Sequence, residues 1–206
     1  MPISKLEMEV TCFRFMNGAL PLKDFEDWLY ATPELENWLG ECTYFELISF
    51  DFRQRFAEGE LRKLLREYIQ PGSYATWEIK RLLAALLDES IDGVPVFEEL
   101  YERYCHGHKF LSNVGLPYVL AIDEIPKLAQ QEFWDPAEFK RRRDLLKEYI
   151  RFLKPEIEQL LQGLENGEMK IIDEAHFQME PGFALRLNEI SRPLAQAPKQ
   201  WWKSCG

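Results

Sequence analysis

Paired cysteines, glycine-rich phosphate loops and long uninterrupted apolar runs are all missing from this sequence, and histidine occurs only three times. Each absence removes a class of function. Without a GxxxxGK[ST] loop there is no backbone cradle for nucleotide phosphates and no lysine to reach them. Without a GxSxG turn or a recognisable Cys-to-His arrangement there is no readable nucleophile with its base. No window approaches the ~18 apolar residues of a membrane span. The start, MPISKLEMEV, has no basic segment followed by an apolar stretch, so neither export nor membrane insertion is expected. The four cysteines, Cys12, Cys42, Cys105 and Cys205, are scattered without a CxxC pair. Reduced thiols in a cytoplasmic protein are the simpler expectation.

What is present is an ordinary globular composition with uneven charge. Hydrophobic residues make up 46% and charged residues 29% of the 206, enough to fold around one good core or two small ones. The net charge is −10; residues 1–60 carry 5 Lys/Arg against 12 Asp/Glu, and residues 91–134 carry 3 against 7. Such a field repels phosphate, which disfavours free nucleic acid, and it steers a basic partner. Solubility alone is the competing explanation for the same acidity.

Apolar residues recur at helical spacing in six stretches, matching the i, i+3, i+4, i+7 template. Phe25, Trp28 and Leu29 form the first. Leu35, Trp38 and Leu39 form the second, with Thr32-Pro33 to open it and Gly40 to end it. Leu61, Leu64, Leu65, Tyr68 and Ile69 form a third that Pro71-Gly72 should stop, and Ile79, Leu82, Leu83, Leu86 and Leu87 form a fourth behind a Ser73 cap. Phe97, Leu100, Tyr101 and Tyr104 make the fifth, closing at Gly107. The longest begins at Asp135-Pro136 and keeps its stripe through Leu146, Tyr149, Ile150, Leu153, Ile157, Leu160, Leu161 and Leu164 to Asn166-Gly167. Pro155 inside it predicts a kink or break near Phe152. Trp28, Trp38 and Trp77 fall on these stripes and read as core.

Two regions resist the helical pattern. From Leu6 to Phe15, Leu6, Met8, Val10 and Cys12 alternate with Glu7, Glu9 and Thr11, a strand-like period. From Met169 to Asn188, KII and FALRL flank Glu180-Pro181-Gly182, the pattern of a β-hairpin or a pair of extended segments. The tail from Ser191 looks irregular and ends near Trp201-Trp202. The fold expected is mainly α: a helical bundle of about six to eight helices with a small extended or β-hairpin region near the C-terminus. Residues 1–166 form the helical domain, with a seam near 89–94, and residues 167–206 pack on it.

The apparent chemical motifs each have a cheaper structural explanation. IIDEAH at 171–176 and VLAIDE at 119–124 share the shape of a Walker B strand, but with no phosphate loop to serve they are accidents of composition. Cys105, His106 and His108 offer three donors within four residues, too cramped for a tetrahedral site, and a helix C-terminus with Gly107 after the cap explains them. No metal and no cofactor is expected. Lys140, Arg141, Arg142 and Arg143 are balanced by Asp135, Glu138, Asp144 and Glu148 and read as a solvated helix face.

The stretch from Phe15 to Ile69 combines FMNGALPLKDFEDWLY, PELENWLG, TYFELISFDF and ELRKLLREYI, carrying Gly18, Phe25, Trp28, Leu29, Tyr30, Leu35, Leu39, Tyr44, Leu47, Ile48 and Leu61. This pattern resembles small bacterial immunity or immunity-like proteins that partner polymorphic toxins. The resemblance covers the N-terminal half and includes no catalytic residue. It implies an all-helical N-terminal module, with helix over Leu6–Phe15 and a further helix across Tyr44–Phe50.

The function these features favour is a non-enzymatic protein-binding module, an immunity protein that neutralises a toxin by occluding a basic site. Glu34, Glu36, Glu41, Glu46 and Asp51 are its candidate partner-binding charges, with aromatics supplying affinity. A second hypothesis is a small-molecule sensor or enzyme whose pocket gathers His106, His108, Tyr118 and Asp123. A third is a homo-oligomeric scaffold built on the long helix.

Overall fold

Ser4 settles the ambiguous N-terminal segment. In the computed structural model, which describes the backbone of residues 4–119, 125–173 and 175–196 and their side chains apart from 116–119 and 192–196, the Ser4 hydroxyl accepts from the Glu7 amide. The Glu7 carboxylate in turn accepts from the Ser4 amide at 2.8 Å. This reciprocal capping box starts helix α1 (Lys5–Met16). Met8, Cys12, Phe15 and Met16 are buried at helical spacing, while Leu6, part of the apparent strand alternation, is 67% exposed. The strand period was a coincidence of four residues.

After α1 come α2 (Leu22–Ala31), α3 (Leu35–Leu39), α4 (Glu41–Ile48), α5 (Ala57–Tyr68), α6 (Pro71–Leu87), α7 (Gly93–Cys105), α8 (Ser112–Val119), α9 (Pro136–Asn166) and α10 (Pro181–Gln196). Strands β1 (Met169–Ile171) and β2 (Phe177–Met179) lie between α9 and α10. The fold is mainly α with a small hairpin, as expected. Ten α-helices among the described residues exceed the six to eight anticipated, because α10 lies in a segment that reads as extended and α8 is short. No helix among the described residues is long and apolar enough to cross a membrane.

The chain divides into two compact units between Trp77 and Glu78, inside α6. In the first unit, Phe15 stacks on Phe25 with centroids 4.4 Å apart, and Phe13 meets Tyr74 and Trp77, each at 5.6 Å. Leu29, Leu35, Leu47, Leu61 and Leu65 complete this core, each contributing on the order of 1.5–3 kcal/mol by leaving water. Trp28, Trp38 and Trp77 pack against it only partly buried. Two expected caps work differently. The Thr32 hydroxyl donates to the Trp28 carbonyl and so finishes α2 instead of opening α3. Pro71 is the first residue of α6, where its missing N–H costs nothing, and extended Ile69 makes the break after α5.

In the second unit α9 is continuous for 31 residues through Pro155, not broken near Phe152. Pro155 and Arg151 are both exposed, so the carbonyl that the proline leaves unpaired faces water. Gly167, at φ 75°, ends the helix. The hairpin turn falls at Ile172–His176, not at Glu180-Pro181-Gly182: Met169 pairs with Met179, Lys170 with Gln178 and Ile171 with Phe177. Pro181 instead opens α10, which absorbs FALRL and the first part of the tail. Residues 197–206, including Trp201-Trp202, lie outside the described residues.

Gly163 determines how closely α10 docks on α9. A Cβ at Gly163 would stand 2.3 Å from the Phe183 ring, which is fully buried. Gly163→Ala would stabilise an isolated helix by about 0.5–1 kcal/mol. Here overpacking should reverse the sign and destabilise by about 1–3 kcal/mol. Urea unfolding of the variant measures this directly, and an unchanged or raised midpoint would show that α10 is not seated on Gly163.

Candidate functional site

Glu34, Glu36, Glu41, Glu46 and Asp51 fall in a segment that contains no Lys, Arg or His. Two leucines set the way it faces. Leu35 of α3 and Leu47 of α4 are 0% and 1% exposed, which fixes the rotation of both short helices. Gly40 joins them at φ 85°, ψ 155°, donating its N–H to the Glu36 carbonyl at 2.8 Å and accepting from the Tyr44 amide at 3.0 Å. A side chain would be strained at that φ. With Leu47 turned inward, Glu41, Cys42, Phe45, Glu46 and Ser49 form the outer stripe of α4, at spacings i, i+1, i+4, i+5 and i+8, and all are exposed.

Phe45 stands in that stripe with 66% of its surface in water. Glu41 lies one turn before it and Glu46 beside it. The Tyr68 hydroxyl donates to Glu46 at 2.5 Å, and this bond to a carboxylate holds the phenol above its ordinary pKa. Glu36 is exposed and Glu34 half-buried at the start of α3. Asp51 is exposed but gives one carboxylate oxygen to the Arg53 amide at 3.0 Å, a turn-forming role. None of the five forms an ion pair among the described residues. Elsewhere in the same unit Lys5 pairs with Glu9, Lys23 with Glu26 and Asp27, and Arg62 with Glu58.

Two exposed aromatics of this unit, Phe45 and Phe56, lie outside the expected site residues. Phe45 had a signal: Tyr44, Leu47 and Ile48 share one helical face, which leaves Phe45 out of phase and outward. Phe56 had none. It caps α5 in the left-handed region, φ 71°, ψ 17°, with its ring 69% exposed and the Arg55 guanidinium 4.8 Å from its centroid. That conformation costs a non-glycine residue roughly 1–2 kcal/mol, with no burial of the ring to offset it. The loop before it is pinned by Phe52, edge-on to Phe50 at 5.3 Å and to Tyr30 at 6.1 Å.

Of the second candidate cluster, only the side chains of His106 and His108 lie among the described residues. His106 is exposed at the C-terminus of α7, its Nδ1 2.7 Å from the Glu102 carbonyl. His108 is fully buried, with Nε2 3.3 Å from the Asp173 carbonyl. The two imidazoles serve different carbonyls, one in water and one in the interior. The Tyr118 side chain and Asp123 lie outside the described residues, as do Leu120–Glu124 of VLAIDE. Within IIDEAH, Ile171 ends β1, and one Asp173 oxygen accepts from the amides of Ala175 and His176 at 2.8 and 2.9 Å. Gly107, at φ 128°, lets this turn approach, since a Cβ there would stand 2.7 Å from the Ala175 carbonyl. No three His, Cys, Asp or Glu side chains converge as a metal site among the described residues. In the basic cluster, Arg141 and Arg142 both engage Glu138, whose carboxyl they hold down to about 2. Arg143 turns inward, to Asp92 at 2.6 Å and the Pro126 carbonyl at 3.3 Å.

No protein-family model, curated protein or solved structure matches this chain. The face on α4 sets the exposed carboxylates of Glu41 and Glu46, the latter accepting from Tyr68, around an aromatic ring held in water.

Burial holds the His108 imidazole below its ordinary pKa of 6.5, against the opposing hydrogen bond to Asp173. The unfolded chain then binds a proton at His108 that the folded chain resists. Its stabilising contribution is complete above pH 6.5 and is lost as pH falls through that value. Unfolding midpoints in urea, measured from neutral pH down to mildly acid pH, should therefore fall less steeply for His108→Gln than for the parent. Parallel slopes would contradict a buried, neutral His108.

Proposed function

We propose that this chain is a non-enzymatic protein-binding module of the immunity type, whose N-terminal unit covers a basic site on a toxin. The observation that carries the proposal is the outer stripe of α4, where Phe45 is 66% exposed between Glu41 and Glu46 in a segment without a basic residue. An isolated exposed phenylalanine is unremarkable in itself. One flanked by carboxylates that form no ion pair among the described residues offers the two parts that tight association uses: charge that steers encounter and an aromatic that fills a pocket on the partner. The resemblance of the N-terminal half to immunity-like proteins supports the same assignment, and the acidity disfavours nucleic acid as the partner. Mechanism would be occlusion, with Glu36, Glu41 and Glu46 meeting lysines or arginines that the toxin needs for its own target.

The test is co-expression with the protein encoded beside its gene, together with affinity measurement on the purified pair. Relief of toxicity and a complex are expected. Phe45→Ala should weaken the complex by about 2 kcal/mol, close to thirty-fold, chiefly by faster dissociation. Glu41→Lys with Glu46→Lys should slow association and reduce its salt dependence. A neighbour that neither binds nor is neutralised would overturn the proposal, as would full affinity in both variants.

A further inference from the structure

A second feature lies wholly within the second unit and owes nothing to the acidic face. Where α6 ends at Leu87, the chain turns through residues 88–92 and restarts as α7 at Gly93, leaving a cavity of about 220 Å³ against α9. Its floor is aliphatic. Leu86 and Leu146 are 2% and 1% exposed, and Ile150 closes one side. Gly93 supplies bare backbone as the facing wall: a Cβ there would stand 3.1 Å from Ile150 Cδ1 and 3.8 Å from both Leu86 and Leu146. Among the described residues no aromatic or hydroxyl side chain lines the cavity, so these supply neither the stacking surface a nucleobase uses nor the hydroxyl donors common in sugar sites.

Its rim is cationic along α9, while the loop opposite contributes the exposed carboxylates of Asp88 and Glu89. Arg143, Lys147, Arg151 and Lys154 lie along it from α9, at spacings that keep all four on one side of the helix. Two of these charges are already matched, Arg143 by Asp92 at 2.6 Å and Lys154 by Glu158 at 3.7 Å. The side chains of Lys147 and Arg151 make no ion pair or hydrogen bond among the described residues, although Asp144 and Glu148 stand three positions before them on the helix. Across the mouth, Asp88 directs one carboxylate oxygen to the Ser90 amide and hydroxyl at 2.9 and 2.7 Å. Ile91, 43% exposed, extends the apolar surface outward. An apolar slot beside two unmatched like charges, which repel each other at i, i+4, is complementary to a ligand with an aliphatic body and an anionic head.

We propose that this cavity binds a medium-chain acyl anion, with the alkyl chain on Leu86, Leu146 and Ile150 and the carboxylate between Lys147 and Arg151. Arginine's planar fork suits a carboxylate, and the neighbouring lysine adds a second donor. At roughly 30 Å³ per water-sized group, the cavity accommodates about seven methylene-sized groups, the length of an octanoyl chain.

Calorimetric titration of the full chain with octanoate tests this, with octylamine and an acetylated Leu-Leu-Glu-Glu peptide as comparators. Saturable binding of octanoate and none of octylamine are expected. Lys147→Glu with Arg151→Glu should weaken octanoate by at least about tenfold, the value of one charge-assisted contact, while the melting temperature holds because both side chains are exposed. The neutral pair Lys147→Gln with Arg151→Gln should weaken it in the same direction and stands in should the reversal fail to fold. Absence of octanoate binding, equal binding of octylamine, or affinity indifferent to the substitutions would overturn the proposal. Binding of the peptide without binding of octanoate would do so too, by making the cavity a docking site for a protein segment.

Discussion

The burial of Leu47 is the constraint on which the acidic face depends. An eight-residue helix such as α4 has little stability of its own, so it is held by what it buries. Leu47, together with Leu35 on α3, is enclosed in the first unit's core. Once that leucine points inward, helical geometry sends Glu41, Phe45 and Glu46 outward together. Gly40 makes the arrangement compact by ending one helix and starting the next with a single residue. The charge of the face follows from composition, but its direction follows from packing.

The second unit depends on close approach. Gly163 admits the Phe183 ring, Gly107 admits the hairpin turn, and Gly93 brings the first turn of α7 against Ile150. Between these contacts a few polar groups are enclosed. Glu156 is fully buried and accepts from Asn113 at 3.2 Å, with burial pushing its carboxyl pKa up. Glu78, 5% exposed, meets Arg103 at 2.5 Å, and burial raises its pKa despite that cation. Buried pairs of this kind are costly to break and weak evidence of net stability. They fasten α6 to α7 and α8 to α9 at fixed positions.

Most of the architecture was legible because long amphipathic stripes such as Ile79–Leu87 and Leu146–Leu164 have one solution. Legibility failed where a short-range signal competed with another. Leu6 to Cys12 alternates like a strand, yet the Ser4–Glu7 capping box and the burial of Met8, Cys12 and Phe15 favour helix. Pro181-Gly182 resembles a turn and is also a helix start. Of the candidate charges, Glu36, Glu41 and Glu46 are placed on an exposed surface, whereas Asp51 is drawn into a turn and Glu34 is half-buried. Phe56 was invisible because its backbone conformation, not its neighbours in sequence, makes it unusual. The Lys147–Arg151 rim is not legible in sequence because two lone cations beside Asp144 and Glu148 read as a balanced helix face, whereas the denser basic run at 140–143 has its arginines engaged by Glu138 and Asp92.

The most direct measurement of the central claim is amide hydrogen exchange of the chain with and without the protein encoded beside its gene, the partner proposed above. Protection gained across α4, from Glu41 to Ser49, with α9 unchanged, is the predicted result. Protection confined to the second unit, with α4 exchanging as it does alone, would contradict an acidic binding face organised by Leu47.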